Sequence, residues 1–162
     1  MKRNSKGFTL IELLIVVAII GIIVAIAIPN LLNAIQRAKQ RRTMGDIRSM
    51  ATAIEAYAVD FNRYPPASGV SLPSGLSYPT ANTVGVLKGY ISPTYIRVTP
   101  VVDGWNSWFR YGVDTPGQAY AVVSYAKNGT SNDIGDGPTT DFNADIVYIN
   151  GQFIQYPEGV QR

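Results

Sequence analysis

From Phe8 to Ile28 the chain runs for 21 positions with a single charge, Glu12. As an α-helix rising ~1.5 Å per residue, that run spans about 30 Å, the hydrocarbon thickness of a bilayer. It is apolar on every side, so it belongs in lipid or in a bundle of similar helices. Glu12 is the anomaly. An unpaired carboxylate taken out of water costs several kcal/mol, so this one calls for a cationic partner. An ordinary secretory signal peptide is the competing reading, because Ala25-Ile26-Ala27 imitates a small-residue cleavage site. Apolar signal cores run only about 7–15 residues, and the helical pattern here continues past Ala27.

Pro29 removes one helical hydrogen bond and predicts a kink or a loosened turn. Beyond it, Ile47, Met50, Ala51, Ile54, Tyr57, Ala58 and Phe61 recur at spacings of three and four, an amphipathic stripe. Tyr64-Pro65-Pro66 predicts the stop. The whole element, Phe8 to about Phe61, would be about 80 Å long at ~1.5 Å per residue. Its second half suits docking on a folded head.

Residues 65–90 are rich in Pro, Ser, Gly and Thr and read as loop, with a short helix near 83–89. Strand patterns follow at 108–113, 120–125, 145–149 and 152–156. The last two flank Asn150-Gly151, which favours a type I′ turn and predicts a terminal hairpin. The expected fold is α+β: a long N-terminal helix whose second half packs on a small antiparallel sheet. The two tryptophans and ten tyrosines are expected to serve core and hairpin packing.

The chain has no cysteine and no histidine. That excludes a disulfide framework, zinc sites built on those ligands, and serine–histidine or cysteine–histidine nucleophiles. No carboxylate pair stands out as catalytic, and the expectation is that the chain is not an enzyme. The net charge of +3 comes from fourteen basic and eleven acidic residues, and Lys2, Arg3 and Lys6 supply three of the basic ones. Residues 8–162 are therefore neutral overall, and nucleic acid is not expected as a partner. Arg37, Lys39, Arg41 and Arg42 form a local cluster that reads as a solvated helix face.

The basic leader followed by Gly7-Phe8-Thr9-Leu10-Ile11-Glu12, the apolar run, Pro29 and the polar helix after it resemble the N-terminal region of the type IV pilin and type II secretion pseudopilin superfamily. The likeness is dense over roughly the first 65 positions and is nearest to the major pseudopilins. It implies a cleaved leader at 1–7, a membrane and assembly helix at 8–29, an amphipathic half at 30–64 and a globular head at 65–162. It implies a prepilin peptidase that cuts after Gly7 and methylates the new amino group of Phe8. It implies a helical homopolymer in which Glu12 pairs with the Phe8 amino group of a neighbouring subunit, built by an assembly ATPase, an inner-membrane platform and minor pseudopilins. The implied location is the bacterial inner membrane, N-terminus cytoplasmic and head periplasmic. Charge counting alone, three basic residues before the span and four after, does not give that orientation. A pilus pilin for adhesion, motility or DNA uptake is the second reading. A secreted calcium-dependent binding domain behind an ordinary signal peptide is the third.

Residues 128–145 hold four aspartates, Asp133, Asp136, Asp141 and Asp145, among asparagines and glycines. On these residues alone a set of Asx-turns accounts for the segment. Asp141-x-Asn143-x-Asp145 has the opening spacing of an EF-hand without its glycine or distal glutamate, so it is not one. The resemblance implies calcium there. Major pseudopilins carry an Asp-Pro-Trp-Gly-like segment, matched here by Asp103-Gly104-Trp105-Asn106. A serine-led loop ending in Asp-Ile then binds the ion, matched here by Ser124 through Asp145-Ile146. Gly104 departs from the proline of that pattern.

Overall fold

The computed structural model describes residues 7–67, 84–114, 117–131, 135, 137–159 and 161. Contacts divide the chain into a unit ending at Ile35 and a unit beginning at Gln36.

Helix α1 covers Leu10–Phe61, 52 residues, and continues through Pro29. Asn30 Nδ2 donates to the Ile26 carbonyl at 3.2 Å in the turn that the proline interrupts. Within the first unit every large apolar side chain from Leu10 to Ile35 is exposed. An 18-residue window of α1 has a mean hydropathy of 3.2 and buries nothing against the chain itself, so the segment is long and apolar enough to cross a membrane.

In the second unit α1 turns amphipathic. Ile47, Met50, Ala51, Ile54 and Tyr57 are buried at the expected spacing, joined by Ala53 and by the polar Gln40 and Thr43. Phe61 departs from the expected stripe: it is 54% exposed, stacked on Tyr57 with ring centroids 4.3 Å apart. The helix ends where Asn62 adopts φ 55°, a left-handed residue just past the last turn.

A short helix α2, Val84–Ile91, buries Val84, Leu87 and Ile91. Five strands follow: β1 Arg110–Val113, β2 Tyr120–Ser124, β3 Gly137–Thr139, β4 Ile146–Ile149 and β5 Gln152–Pro157. The sheet order is β1-β2-β4-β5-β3. The pairs β1–β2, β2–β4 and β4–β5 are antiparallel, while β3 lies parallel to the far edge of β5. Asn150 and Gly151 take φ 45° and 93°, as a type I′ turn requires.

One face of the sheet, with Tyr111, Val113, Tyr120, Val122, Ile146 and Tyr148, shares a core with the α1 stripe, α2 and Phe109. Buried tyrosines need partners for their hydroxyls. Tyr111 OH donates to the Pro65 carbonyl at 2.7 Å and Tyr120 OH to Glu55 Oε1 at 2.8 Å. Trp108 departs from the packing expectation and is about half exposed.

Candidate functional site

Gly7, Phe8 and Thr9 precede α1 in non-helical backbone, and all three are exposed. A Cβ built on Gly7 meets nothing within 4 Å among the described residues. The fold itself therefore places no demand for glycine there, and a requirement for it has to come from a partner that grips this backbone.

Thr9 and Glu12 form a reciprocal N-terminal cap. Thr9 N–H donates to Glu12 Oε2 at 2.9 Å, the Thr9 hydroxyl donates to the same oxygen at 2.7 Å, and Glu12 N–H reaches Thr9 Oγ1 at 3.3 Å. A helix start leaves its first N–H groups without partners, and this threonine–glutamate pair at a spacing of three satisfies two of them. Among the described residues, the hydrogen bonds to Glu12 all fall on Oε2, so Oε1 is open to a further donor. The structure thus brings Phe8, Thr9 and Glu12 together at one helix end. Pro29 lies apart from them, further along α1.

A second cluster fastens a loop onto α1 within the second unit. Asp103 is buried, and its Oδ1 accepts from the N–H groups of Trp105 and Ser107 at 2.8 and 2.9 Å. Its Oδ2 accepts from Ser124 Oγ at 2.6 Å. Gly104 N–H donates to Thr43 Oγ1 at 2.9 Å, and that hydroxyl donates to the Lys39 carbonyl at 2.9 Å. Trp105 Nε1 donates to Gln36 Oε1 at 2.7 Å. An ideal Cβ on Gly104 would stand 2.5 Å from the Lys39 carbonyl oxygen. Glycine is needed for this approach of backbone to backbone. Its N–H, which a proline lacks, makes the bond to Thr43. The sequence flagged Asp103 and Trp105 by resemblance but gave no sign of Thr43 or Gln36, ordinary polar residues on a helix.

Asp133 and Asp136 lie outside the described residues. Asp141 is exposed, and its Oδ1 accepts from Asn143 N and Nδ2 at 2.9 and 3.1 Å, an Asx-turn. Asp145 is fully buried immediately before β4. Gly135 N–H donates to Gln155 Oε1 and ties the loop to β5. Among the described residues no three acidic side chains gather as metal ligands.

A family model described as the prokaryotic N-terminal methylation motif matches residues 2–28. A second, described as type II secretion system (T2SS), protein G, matches residues 30–147, well over half of the chain.

The chain belongs to the type II secretion system protein G family.

Type II secretion system core protein G of Aeromonas hydrophila is 32% identical over 146 residues, which is 87% of this chain and 98% of the relative. The type IV wide pilus major component of Thermus thermophilus is 36% identical over 107 residues, 66% of this chain and 81% of the relative. Among solved structures, the crystal structure of the major pseudopilin from the type 2 secretion system of enterohaemorrhagic Escherichia coli aligns with a TM-score of 0.44 at 24% identity, over 74% of this chain and 93% of that one. For a protein G chain, the helix end at Phe8–Glu12 falls inside the methylation motif. The loop at Asp103–Ser107 falls inside the protein G match.

Proposed function

We propose that this protein G chain is the major structural subunit of a type II secretion pseudopilus, acting mechanically and not as an enzyme. The observation that carries the reading is the N-terminal stretch of α1. It is capped, apolar all round and unburied by its own fold, with one carboxylate held at its start. Such a segment is stable only in lipid or among copies of itself. A prepilin peptidase cuts after Gly7 and methylates Phe8. The subunit then waits in the inner membrane with the N-terminus cytoplasmic and the head in the periplasm. An ATPase and a platform protein move it into a filament with minor pseudopilins. Head-to-tail contacts that do not close give an open helix.

The cap gives Glu12 two roles that do not compete. Oε2 holds the chain's own helix end, and Oε1 pairs with the Phe8 ammonium of a neighbouring subunit in the filament. Deleting the gene and assaying secretion beside filament imaging tests the reading: loss of secreted protein with loss of periplasmic filaments is expected. Intact secretion with loss of surface pili would instead favour a pilus subunit, the reading that the Thermus thermophilus relative supports.

Calcium at the loop is part of the proposal. Asp133, Asp136, Asp141 and Asp145 would hold it with backbone carbonyls. These are the hard oxygen donors the ion prefers, and the cation would offset their mutual repulsion.

A further inference from the structure

Arg37 and Arg41 stand one helical turn apart on α1 and line a cavity of about 310 Å3. The opposite wall is the end of β5 and the residues after it, Pro157, Glu158 and Gln161. That wall is fixed. Gln161 is 4% exposed and spends both its side-chain N–H groups on the carbonyls of Thr139 and Glu158, at 2.7 and 2.9 Å. Its Oε1 accepts from Gln40 Nε2 of α1 at 3.0 Å, and Gln40 is 3% exposed. The concavity is therefore preorganised by a buried amide pair.

Neither arginine makes an ion pair among the described residues, whereas the neighbouring Arg42 lies 3.6 Å from Asp46. Like charges one turn apart repel, and an anion between the two guanidiniums relieves that cost with planar, multidentate hydrogen bonds. Met44 and Pro157 add an apolar patch beside the charges. Glu158 on the rim supplies an acceptor. Beyond the apolar run that ends at Ile28, Leu31, Leu32 and Ile35 are still exposed, and Arg37 comes two residues after the last of them. Trp105, half-buried and bonded to Gln36, sits at the same level of α1. Tryptophan and arginine just past an apolar span are the residues of the membrane interface.

We propose that this cavity seats a membrane phospholipid headgroup, with its phosphodiester on Arg37 and Arg41 and a headgroup hydroxyl on Glu158. A bare phosphate would use the arginines but leave the apolar patch and the acceptor idle. The proposal rests on anchoring by α1, so insertion is scored separately from headgroup binding.

The test uses the full chain in nanodiscs of phosphatidylcholine, with and without added phosphatidylglycerol. Retained lipid is counted by native mass spectrometry. The wild type is expected to retain phosphatidylglycerol over phosphatidylcholine. Arg37→Gln with Arg41→Gln should insert equally well and weaken that retention roughly fivefold for each arginine removed. Arg42→Gln, which removes one charge outside the cavity, should retain the lipid as the wild type does. A roughly fivefold loss in Arg42→Gln, equal to that for each cavity arginine, would overturn the site in favour of diffuse surface charge. Unchanged retention in the double variant would overturn it outright. Inorganic phosphate displacing the lipid at millimolar concentration would reassign the cavity to free anions.

Discussion

Trp105 donates its indole N–H to Gln36 Oε1 at 2.7 Å, across 69 positions of sequence. Gln36 is the first residue of the sheet-bearing unit, so this bond fastens the loop to the start of the unit. One residue away, Gly104 brings its backbone against Lys39.

Gly104→Ala puts a methyl group 2.5 Å from the Lys39 carbonyl oxygen, and backbone on both sides cannot give way cheaply. Overpacking of this kind costs about 1–3 kcal/mol. A head fragment beginning near residue 32 should melt several degrees lower with the substitution. An unchanged melting temperature would show that the loop moves aside freely.

Glu12→Gln and Glu12→Leu separate the two roles of Glu12. Glutamine keeps a capping side chain but has no charge. Leucine removes both the charge and the bond back to Thr9 N–H. Both variants should be cleaved and inserted, and both should assemble poorly when no wild-type subunit is present. Normal filament yield from Glu12→Gln, counted by electron microscopy, would show that the ion pair is dispensable.

Gly7→Val is expected to leave the leader attached while the chain still inserts, since nothing among the described residues crowds that position. Mass spectrometry of the membrane fraction reads the outcome directly. A Phe8 N-terminus in the variant refutes the requirement.

Calcium should raise the melting temperature of the same head fragment by the stabilisation RT ln(1 + [L]/Kd), about 2.7 kcal/mol at a hundredfold excess over Kd. Asp133→Asn with Asp136→Asn should abolish the increment. Equal melting in saturating calcium and in chelator leaves only the Asx-turns.

Alkali should unfold the head. The hydrogen bond from Tyr95 to Asp60, at 2.6 Å, holds the Tyr95 hydroxyl protonated and pushes its pKa up to about 12. Burial raises Tyr111, and burial with the bond to Glu55 raises Tyr120. A folded-state pKa above the unfolded value of about 10 contributes stability that is complete below pH 10 and lost as pH climbs through the folded value. Absorbance near 295 nm should show these tyrosines ionising late, together with loss of circular dichroism. Early ionisation of Tyr95, Tyr111 and Tyr120 would contradict these bonds and this burial.

Most of the frame was legible because local chemistry dictated it. The apolar run, the stripe at 47–57, the strands β1, β2, β4 and β5 and the turn at Asn150-Gly151 each carry their own period or dihedral demand. Strand β3 was not legible: Gly137-Pro138-Thr139 is too short to alternate, reads as loop, and becomes a strand only because β5 offers it a parallel edge. The attachments to α1 were hidden for a related reason. Gln36, Gln40 and Thr43 look like solvated helix positions until Trp105, Gln161 and Gly104 arrive from far along the chain. The acidic loop stays divided between what sequence proposes and what Asp141 does, because a carboxylate closing an Asx-turn and one awaiting a cation have the same composition.

Strand β3 has a consequence for life in a polymer. In the proposed filament identical heads repeat, so their sheet margins stand at very high local concentration. Bare backbone along β5 would be a template for zipping one subunit to the next by strand addition. Three residues, one of them a proline unable to donate, cover that margin from within the same chain. At that margin heads can be crowded without zipping together, and contact between neighbours there is left to side chains.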